Sequence, residues 1–486
     1  FIGFGGNWGF GESNLNYRER EYDIAVAYHA DMNFTMIRNW VGQIGDKEFY
    51  EACDRHGIMV WQDFWLANPV DGPNPYYTEM FNANACDYLK RIRNHPSIGI
   101  YVGRNEGNPP AGIDDYLRGL VFREHPGLYY ISNSAMGVVS GGGPYRALSP
   151  KSYFQSYGHD KFHSERGMPN VMNYESMLLT FGTDKIEPVN TSETPNPVYG
   201  LHDYTLGGGK GSSAQAASSF NDMIEKAFGR PRDAKQFAEW AQWINYDGYR
   251  AIFEGRSEHR RGMLLWMSHS AWPSMVWQTY DYYFDPNAAY FGCKKASEPL
   301  HIQWNPLRDD IEVVNYHAFD RTGLTATASL FNQDGTLQWT RETKLDIKED
   351  QTVACFPLEQ PETLSDTYFI KLSLTDSDGK QLSDNFYWRG KEDGNYKSLL
   401  QLPKVSVCKN VTVKKTGKEW LIRAVLKNEA RTPALMLRLK VAGEKSGRML
   451  LPVFYSDNYF SLLPGEVNEV DIRLYDADTY GEKPVL

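Results

Sequence analysis

Two glutamates carry the chemistry most open to reading in this chain. Glu106 stands in Gly103-Arg-Asn-Glu-Gly-Asn-Pro-Pro110, just past the apolar run Ile98–Val102, where glycine and proline stop the chain. Glu165 stands in His163-Ser-Glu-Arg-Gly167, at the end of another short run. Two carboxyl groups facing one another can cleave a glycosidic bond. One, kept protonated by a less polar site and its partner's charge, donates to the leaving oxygen. The other, held ionised by neighbouring donors, attacks the anomeric carbon. A single glutamate after a strand is usually a surface or ion-paired residue. A pair at strand ends, each in polar company, points instead to catalysis.

The elements around them decide whether the two can meet. Over the first 300 or so residues, short apolar runs alternate with amphipathic helical stretches. Asp46 is placed to cap a helix with Phe49, Ala52 and Cys53 on one face, Gly57 suits its left-handed stop, and Ile58-Met-Val-Trp61 follows as a buried strand. The unit recurs. Strands are expected at Phe4–Trp8, Phe34–Ile37, Ile58–Trp61, Ile98–Val102, Leu128–Ile131, Tyr153–Tyr157, Lys161–His163 and Gly262–Trp266, with helices near 79–93 and 233–254. Eight strands, most with a helix between them, point to a (β/α)8 barrel. A doubly wound open sheet competes. Polar clusters at successive strand ends favour the barrel: Arg38-Asn-Trp40, Gln62-Asp-Phe-Trp65, Arg104-Asn-Glu106 and Ser164-Glu-Arg166. In a barrel these positions line the C-terminal mouth, and the fourth and seventh strand ends face each other across it.

From about residue 303 the texture changes to short strands separated by Asp334-Gly, Asp378-Gly, Thr416-Gly and Pro464-Gly turns. This is the rhythm of β-sandwiches, and some 180 residues suffice for two. The expected organisation is a barrel over 1–302 followed by immunoglobulin-like sandwiches over 303–395 and 396–486.

Composition sets the outer bounds. The 486 residues are 41% hydrophobic and 23% charged, with a net charge of -10. Mean hydropathy is -0.54 and the pI near 5.6. A nucleic-acid binder would show a basic face, and no window approaches the roughly 18 apolar residues of a membrane span. The opening Phe1-Ile-Gly-Phe4 lacks the basic flank and length of a signal peptide. Cysteines 53, 86, 293, 355 and 408 are odd in number and form no CxxC, so they read as free thiols. Aromatic residues reach 14%, and nine of the 13 tryptophans precede residue 303, so this excess belongs mostly to the barrel. Weaker signals do not hold up. Gly207-Gly-Gly-Lys-Gly-Ser212 departs from the phosphate-loop pattern and reads as a loop. His159 and His163 are four apart on a strand rather than a helix, which removes metal-ligand geometry. No G-x-S-x-G elbow occurs.

Taken together these motifs resemble glycoside hydrolase family 2, in the branch of β-mannosidases, mannosylglycoprotein endo-β-mannosidases and exo-β-glucosaminidases. Tyr28-His-Ala-Asp-Met-Asn-Phe-Thr-Met-Ile-Arg38, Val60-Trp-Gln-Asp-Phe-Trp65 and Val70-Asp-Gly72 resemble the endo-β-mannosidase pattern, and Arg93-Asn-His-Pro-Ser97 leading to Asn105-Glu106 the family's acid/base segment. Trp272-Pro273, Tyr290-Phe-Gly292 and Glu298-Pro-Leu-His301 resemble the last barrel strand and its exit. Gly323-Leu-Thr-Ala326 and Asn385-Phe-Tyr-Trp388 are similar to exo-β-glucosaminidases. The resemblance implies a retaining enzyme with Glu106 as acid/base and Glu165 as nucleophile. It further implies Asn105 on the sugar 2-hydroxyl, Arg38 keeping Glu165 ionised, and Trp8, Asp63, Trp65 and Trp272 near the −1 sugar. Exo-β-glucosaminidases of the branch carry Ser-Asp at the acid position, so Asn105-Glu106 favours the mannosidase side. Against that, Trp266-Met-Ser-His-Ser-Ala-Trp272 stands where β-mannosidases commonly carry Gln-Leu-Asn-Asp after the first Trp. This puts His269 among the candidate sugar contacts and leaves the sugar open. The resemblance implies a glycan substrate, no metal or organic cofactor, and a periplasmic or secreted address. The family usually places a jelly-roll and a sandwich before the barrel, so the chain is expected to be the catalytic and C-terminal portion of a longer protein.

Overall fold

The computed structural model describes every residue except 1, 156–160, 192–193, 195, 203–214, 257–260 and 276, and gives only the backbone of 215–218. The chain forms two compact units, one of residues 1–145, 158–168 and 259–278, the other of 146–157, 169–258 and 279–486.

The first unit is built on eight parallel strands: β1 (Gly3–Trp8), β2 (Met36–Asn39), β3 (Met59–Asp63), β4 (Ile98–Arg104), β5 (Tyr129–Asn133), β6 (Val139–Ser140), β7 (Phe162–Arg166) and β8 (Gly262–Leu265). Their order, β5-β4-β3-β2-β1-β8-β7-β6, is the cyclic order of a (β/α)8 barrel. Helices α1 (Glu19–Asp31), α2 (Lys47–His56), α3 (Thr78–Ile92) and α4 (Ala111–Glu124) return the chain between the first five strands. Met36, Trp61, Val102, Val139 and Leu264, one from each of five strands, fill the interior. Glycine at position 5 permits the close β1–β2 approach, since a Cβ there would stand 1.6 Å from the Met36 carbonyl oxygen. Helix α2 buries Phe49, Tyr50, Ala52 and Cys53 and ends at Gly57 with φ +69°. Asp46 occupies the expected N-cap position but makes no side-chain cap bond. Its carboxylate instead takes the Tyr22 hydroxyl at 2.6 Å.

The sixth strand lies elsewhere than expected. Pro150–Gln155 is a helix, started by a proline whose missing N–H costs nothing at a first turn, and residues 156–157 lie outside the described ones. Val139 and Ser140 form the strand instead, pairing with Phe162 and His163. Two residues are too few for a period to register. The seventh strand runs on to Arg166, so Glu165 lies inside it. Gly207–Ser212 and His159 lie outside the described residues.

In the second unit, strand Leu300–Asn305 spans the change of texture at 303 and pairs with Asp310–Asn315, which pairs with Gln351–Pro357. This sheet shares a core with the four strands Leu337–Ile347, Arg321–Asn332, Thr367–Thr375 and Gln381–Gly390. Further on, Cys408–Thr416, Glu419–Lys427, Val467–Tyr475 and Phe454–Tyr455 form another antiparallel sheet. The 21-residue helix Ala234–Glu254 is joined to the first sandwich by buried polar groups. Glu254 Oε1 accepts from the Tyr387 hydroxyl at 2.9 Å and Asn385 Nδ2 at 2.8 Å. Arg250 Nη1 donates to Asn385 Oδ1 at 2.8 Å, and Asp247 bridges Arg250 and Arg389.

Among the described residues no helix is long and apolar enough to cross a membrane. None of the five cysteines is in a disulfide; Cys53 and Cys293 are buried, with thiol pKa values pushed up by burial, while Cys408 is exposed.

Candidate active site

The ends of β2, β3, β4 and β7 bring four of the expected residues into one hydrogen-bonded cluster. Arg38, the third residue of β2, is completely buried over the Trp61 ring, 5.4 Å from its centroid. Its Nη1 donates to Glu165 Oε1 at 2.7 Å and its Nη2 to Asn105 Oδ1 at 2.8 Å. The other edge of the guanidinium serves Asp63, with Nη2 at 2.7 Å and Nε at 3.0 Å from Oδ2. Asp63 also accepts from Trp61 Nε1 at 2.7 Å and the Val41 amide at 3.0 Å. Burial works against the Arg38 charge, but Asp63 and Glu165 outweigh it and raise its pKa.

Glu165 has both oxygens held. Oε1 takes Arg38, and Oε2 takes the Tyr145 hydroxyl at 2.6 Å. Burial pushes its pKa up, Arg38 pulls it down, and the negative charge of Glu106 raises it again, to about 7 overall. Tyr145 is kept a phenol by burial and by the adjacent Glu165 charge.

Glu106 is arranged differently. It sits two residues beyond β4, half-buried, in the left-handed region at φ +46°, a conformation that costs a non-glycine residue about 1–3 kcal/mol and recurs at functional sites. Its amide donates to Ser134 Oγ at 3.0 Å. No described residue hydrogen-bonds its carboxyl group, whose Oε1 would lie 3.3 Å from a Cβ on Gly142. Asn105 Oδ1 takes donors from Arg38 and from the Ser134 hydroxyl at 3.2 Å. That leaves the Asn105 Nδ2 hydrogens as the group offered outward.

The aromatic expectations divide. Trp8 is fully buried; its Nε1 donates to His29 Nε2 at 3.0 Å, and its ring stacks on His269 at 4.2 Å. His269 is buried beneath it, with Nε2 donating to the Gly11 carbonyl at 2.6 Å, and burial lowers its pKa to about 4. His29 is likewise neutral, its pKa lowered by burial to about 3, with Nδ1 on the Ala25 carbonyl and Nε2 on the Ser268 hydroxyl. Trp8, Asp63 and His269 are thus as buried as Arg38 and Glu165, with Asp63 bonded to Arg38 and Trp8 stacked on His269. Trp65 is half-buried, its Nε1 on the Gly42 carbonyl at 3.0 Å and its ring against Tyr88. Trp272 is half-buried on the loop after β8.

Five further residues join or border the cluster. Tyr145 reaches Glu165 on a loop held down by His163, whose Nε2 bonds the Gly143 carbonyl at 2.8 Å. Ser134 orients Asn105. Asn7 on β1 donates from Nδ2 to the Ser164 and Leu265 carbonyls, both at 2.9 Å, tying β7 and β8 together. Trp40 and Trp266 meet edge to face at 4.9 Å, and Trp266 lies 6.3 Å from Tyr145. Trp40 closes the polar strand-end cluster Arg38-Asn-Trp40 and Trp266 ends the expected strand Gly262–Trp266; Tyr145 follows a glycine run and carries no local signal. Among the described residues no group of three His, Cys, Asp or Glu gathers to hold a metal ion.

Barrel, sandwich and carboxylate cluster together define a (β/α)8 scaffold with a buried anionic site at its C-terminal mouth. The comparisons narrow the class. The sequence model of the exo-β-D-glucosaminidase Ig-fold domain matches residues 385–486. The chain is 27% identical to a mannosylglycoprotein endo-β-mannosidase of Lilium longiflorum, over 96% of this chain and 60% of that protein. It is 28% identical to an exo-β-D-glucosaminidase of Amycolatopsis orientalis, over 97% of this chain and 50% of that protein. The crystal structure of an exo-chitosanase of Amycolatopsis orientalis superposes with a TM-score of 0.88 at 24% identity, covering 99% of this chain and 62% of that one. A β-D-mannosidase of Dictyoglomus thermophilum superposes at 0.76 and 20% identity, covering 97% and 58%. The chain therefore shares their fold and spans about 50–60% of the length of these curated relatives.

Proposed function

We propose that this chain is the catalytic part of a retaining β-glycosidase of the glycoside hydrolase family 2 type, acting on β-mannosidic bonds of a glycan. The observation that carries the reading is the asymmetry of the two carboxylates. Glu165 is buried and gripped through both oxygens by Arg38 and Tyr145, the arrangement of an oriented nucleophile. Glu106 is half-buried with a carboxyl that no described residue hydrogen-bonds, able to carry a proton in and out.

In the first step Glu165 attacks C1 from the face opposite the leaving group. The C1–O bond breaks and Glu106 gives its proton to the departing oxygen. In the second step Glu106, now a carboxylate, takes a proton from water. The resulting hydroxide attacks C1 and releases Glu165. Arg38 and Tyr145 take up the charge that returns to Glu165 as the ester breaks. Asn105, with Oδ1 already engaged, donates from Nδ2 to the 2-hydroxyl. Neither step calls on a metal ion or an organic cofactor.

A second reading, an exo-β-D-glucosaminidase, is supported by the matching Ig-fold domain and by relatives of similar identity. The Asn105-Glu106 pair favours the mannosidase. A panel of aryl β-mannoside and aryl β-glucosaminide against wild type and Glu106→Ala separates the two. Hydrolysis of the mannoside with loss in the variant upholds the first reading, and preference for the glucosaminide replaces it with the second. A 2-deoxy-2-fluoro glycosyl fluoride should leave a covalent mass on Glu165. No adduct from several sugars would reduce the chain to a carbohydrate binder.

A further inference from the structure

Glu106 lies between two loops that hold large apolar side chains out in water. On one side is the loop from β3 to α3, bound firmly to the segment that carries Glu106. Arg104 Nε donates to the Ala67 carbonyl and Nη1 to Asn74 Oδ1, both at 2.7 Å. The Asn105 amide donates to the Leu66 carbonyl at 2.9 Å, and a Cβ on Gly107 would stand 3.3 Å from the Pro69 ring. Asn68 stiffens the tip, its Oδ1 accepting from the amides of Val70 and Asp71. On this braced loop Val70 is 94% exposed, Tyr76 94% and Tyr77 70%. Tyr76 is two residues from Asn74, so its Cα lies within about 7 Å of that anchor.

On the other side is the loop from β5 to β6. Its Ser134 hydroxyl bonds both Asn105 and Glu106, and just beyond it Met136 is 63% and Val138 73% exposed. Exposed apolar groups rimmed by polar ones beside a site suit a binding surface, and tyrosine rings offer flat area with little conformational freedom to lose.

We infer that these two rims form subsites for the leaving-group side of a glycan, with Tyr76 and Tyr77 as the stacking platform and Met136 and Val138 as the opposite wall. The inference rests on Glu106 as acid/base, because the acid stands beside the leaving oxygen and the surface outward from it belongs to the leaving group. Pyranose rings present an apolar C–H face that fits such a platform. The preferred substrate is therefore an oligosaccharide extending at least two sugars past the scissile bond, rather than a glycoside of a small alcohol.

The test compares p-nitrophenyl β-mannoside with β-1,4-mannooligosaccharides of two to five units. In wild type kcat/KM should rise about tenfold from the disaccharide to the tetra- or pentasaccharide. Tyr76→Ala/Tyr77→Ala should lower the ratio of pentasaccharide to aryl-glycoside kcat/KM by about tenfold, chiefly through KM. Met136→Ala/Val138→Ala should lower it about threefold. A rate independent of chain length, or ratios unmoved by both pairs, overturns the inference. Failure to hydrolyse any aryl mannoside would count against the proposed reaction instead. The subsites are then read by calorimetry on Glu165→Gln protein with mannopentaose and with the β-1,4-glucosamine pentamer. A dissociation constant raised about tenfold by the tyrosine pair upholds them, while no binding, or binding that ignores the tyrosines, overturns them.

Discussion

Arg38 and Glu165 form a buried ion pair of 2.7 Å in which the arginine is already shared with Asp63. The sharing explains why Glu165 is not held deep in the ionised range. A guanidinium divided between two carboxylates cannot fully offset burial and the charge of Glu106, so Glu165 rests near 7.

That value sets the acid side of the pH profile. As the proposed nucleophile, Glu165 must be a carboxylate, so kcat/KM of the free enzyme should fall as pH drops through about 7. Steady-state rates on an aryl glycoside from pH 5 to 9 check it. A profile flat down to pH 5 would contradict the assignment.

Asp63→Asn leaves Arg38 facing one carboxylate instead of two. Its full charge then stabilises ionised Glu165, and the acid limb should move to lower pH. Tyr145→Phe removes a donor that favours the carboxylate and should move the limb the opposite way, with a loss of roughly tenfold in kcat/KM at pH 7. Two shifts of the same sign would show that the variants act through disorder rather than charge.

Glu165 also costs stability. Its folded pKa of about 7 lies above the usual 4.5, so the folded state binds more protons than the unfolded one between those values. Stability therefore declines as pH rises through that window. Above pH 7 the cost reaches about 3 kcal/mol at 1.36 kcal/mol per pKa unit. Glu165→Gln should melt higher than wild type at pH 8 and lose most of that advantage by pH 4, while losing activity. A lower melting point at pH 8 would refute the argument.

The polar lock of the second unit behaves in the opposite sense. Glu254→Ala strips acceptors from Tyr387, Asn385 and His301 at once, leaving buried donors unpaired. Breaking such a network costs about 3–5 kcal/mol, and thermal or urea unfolding of the variant should show it. A change under 1 kcal/mol would mean that water replaces the carboxylate.

Much of the fold was legible because it repeats. Helix α2 with its Gly57 stop, the strand after it and the 234–254 helix follow from apolar period and stop signals, although the Asp46 side chain makes no cap bond. The sixth strand was not, because Val139–Ser140 is set by pairing with Phe162 and His163 rather than by its own pattern. Glu106, Glu165, Arg38 and Asn105 were legible as strand-end polar residues and by resemblance. The complete burial of Trp8, Asp63 and His269 was not, since burial is decided by what packs on top.

The sequence by itself determined which strand ends carry carboxylates, and that alternating helices and strands would bring those ends to one face. Only the tertiary structure decided which groups hold them. Tyr145 and Glu165, Arg38 and Asn105, and Arg38 and Glu165 are 20, 67 and 127 residues apart in the chain, yet each pair is joined by a hydrogen bond. No local spacing encodes such contacts. They exist because a curled sheet of parallel strands converts residues distant in sequence into neighbours, and because most buried polar atoms must then find partners there.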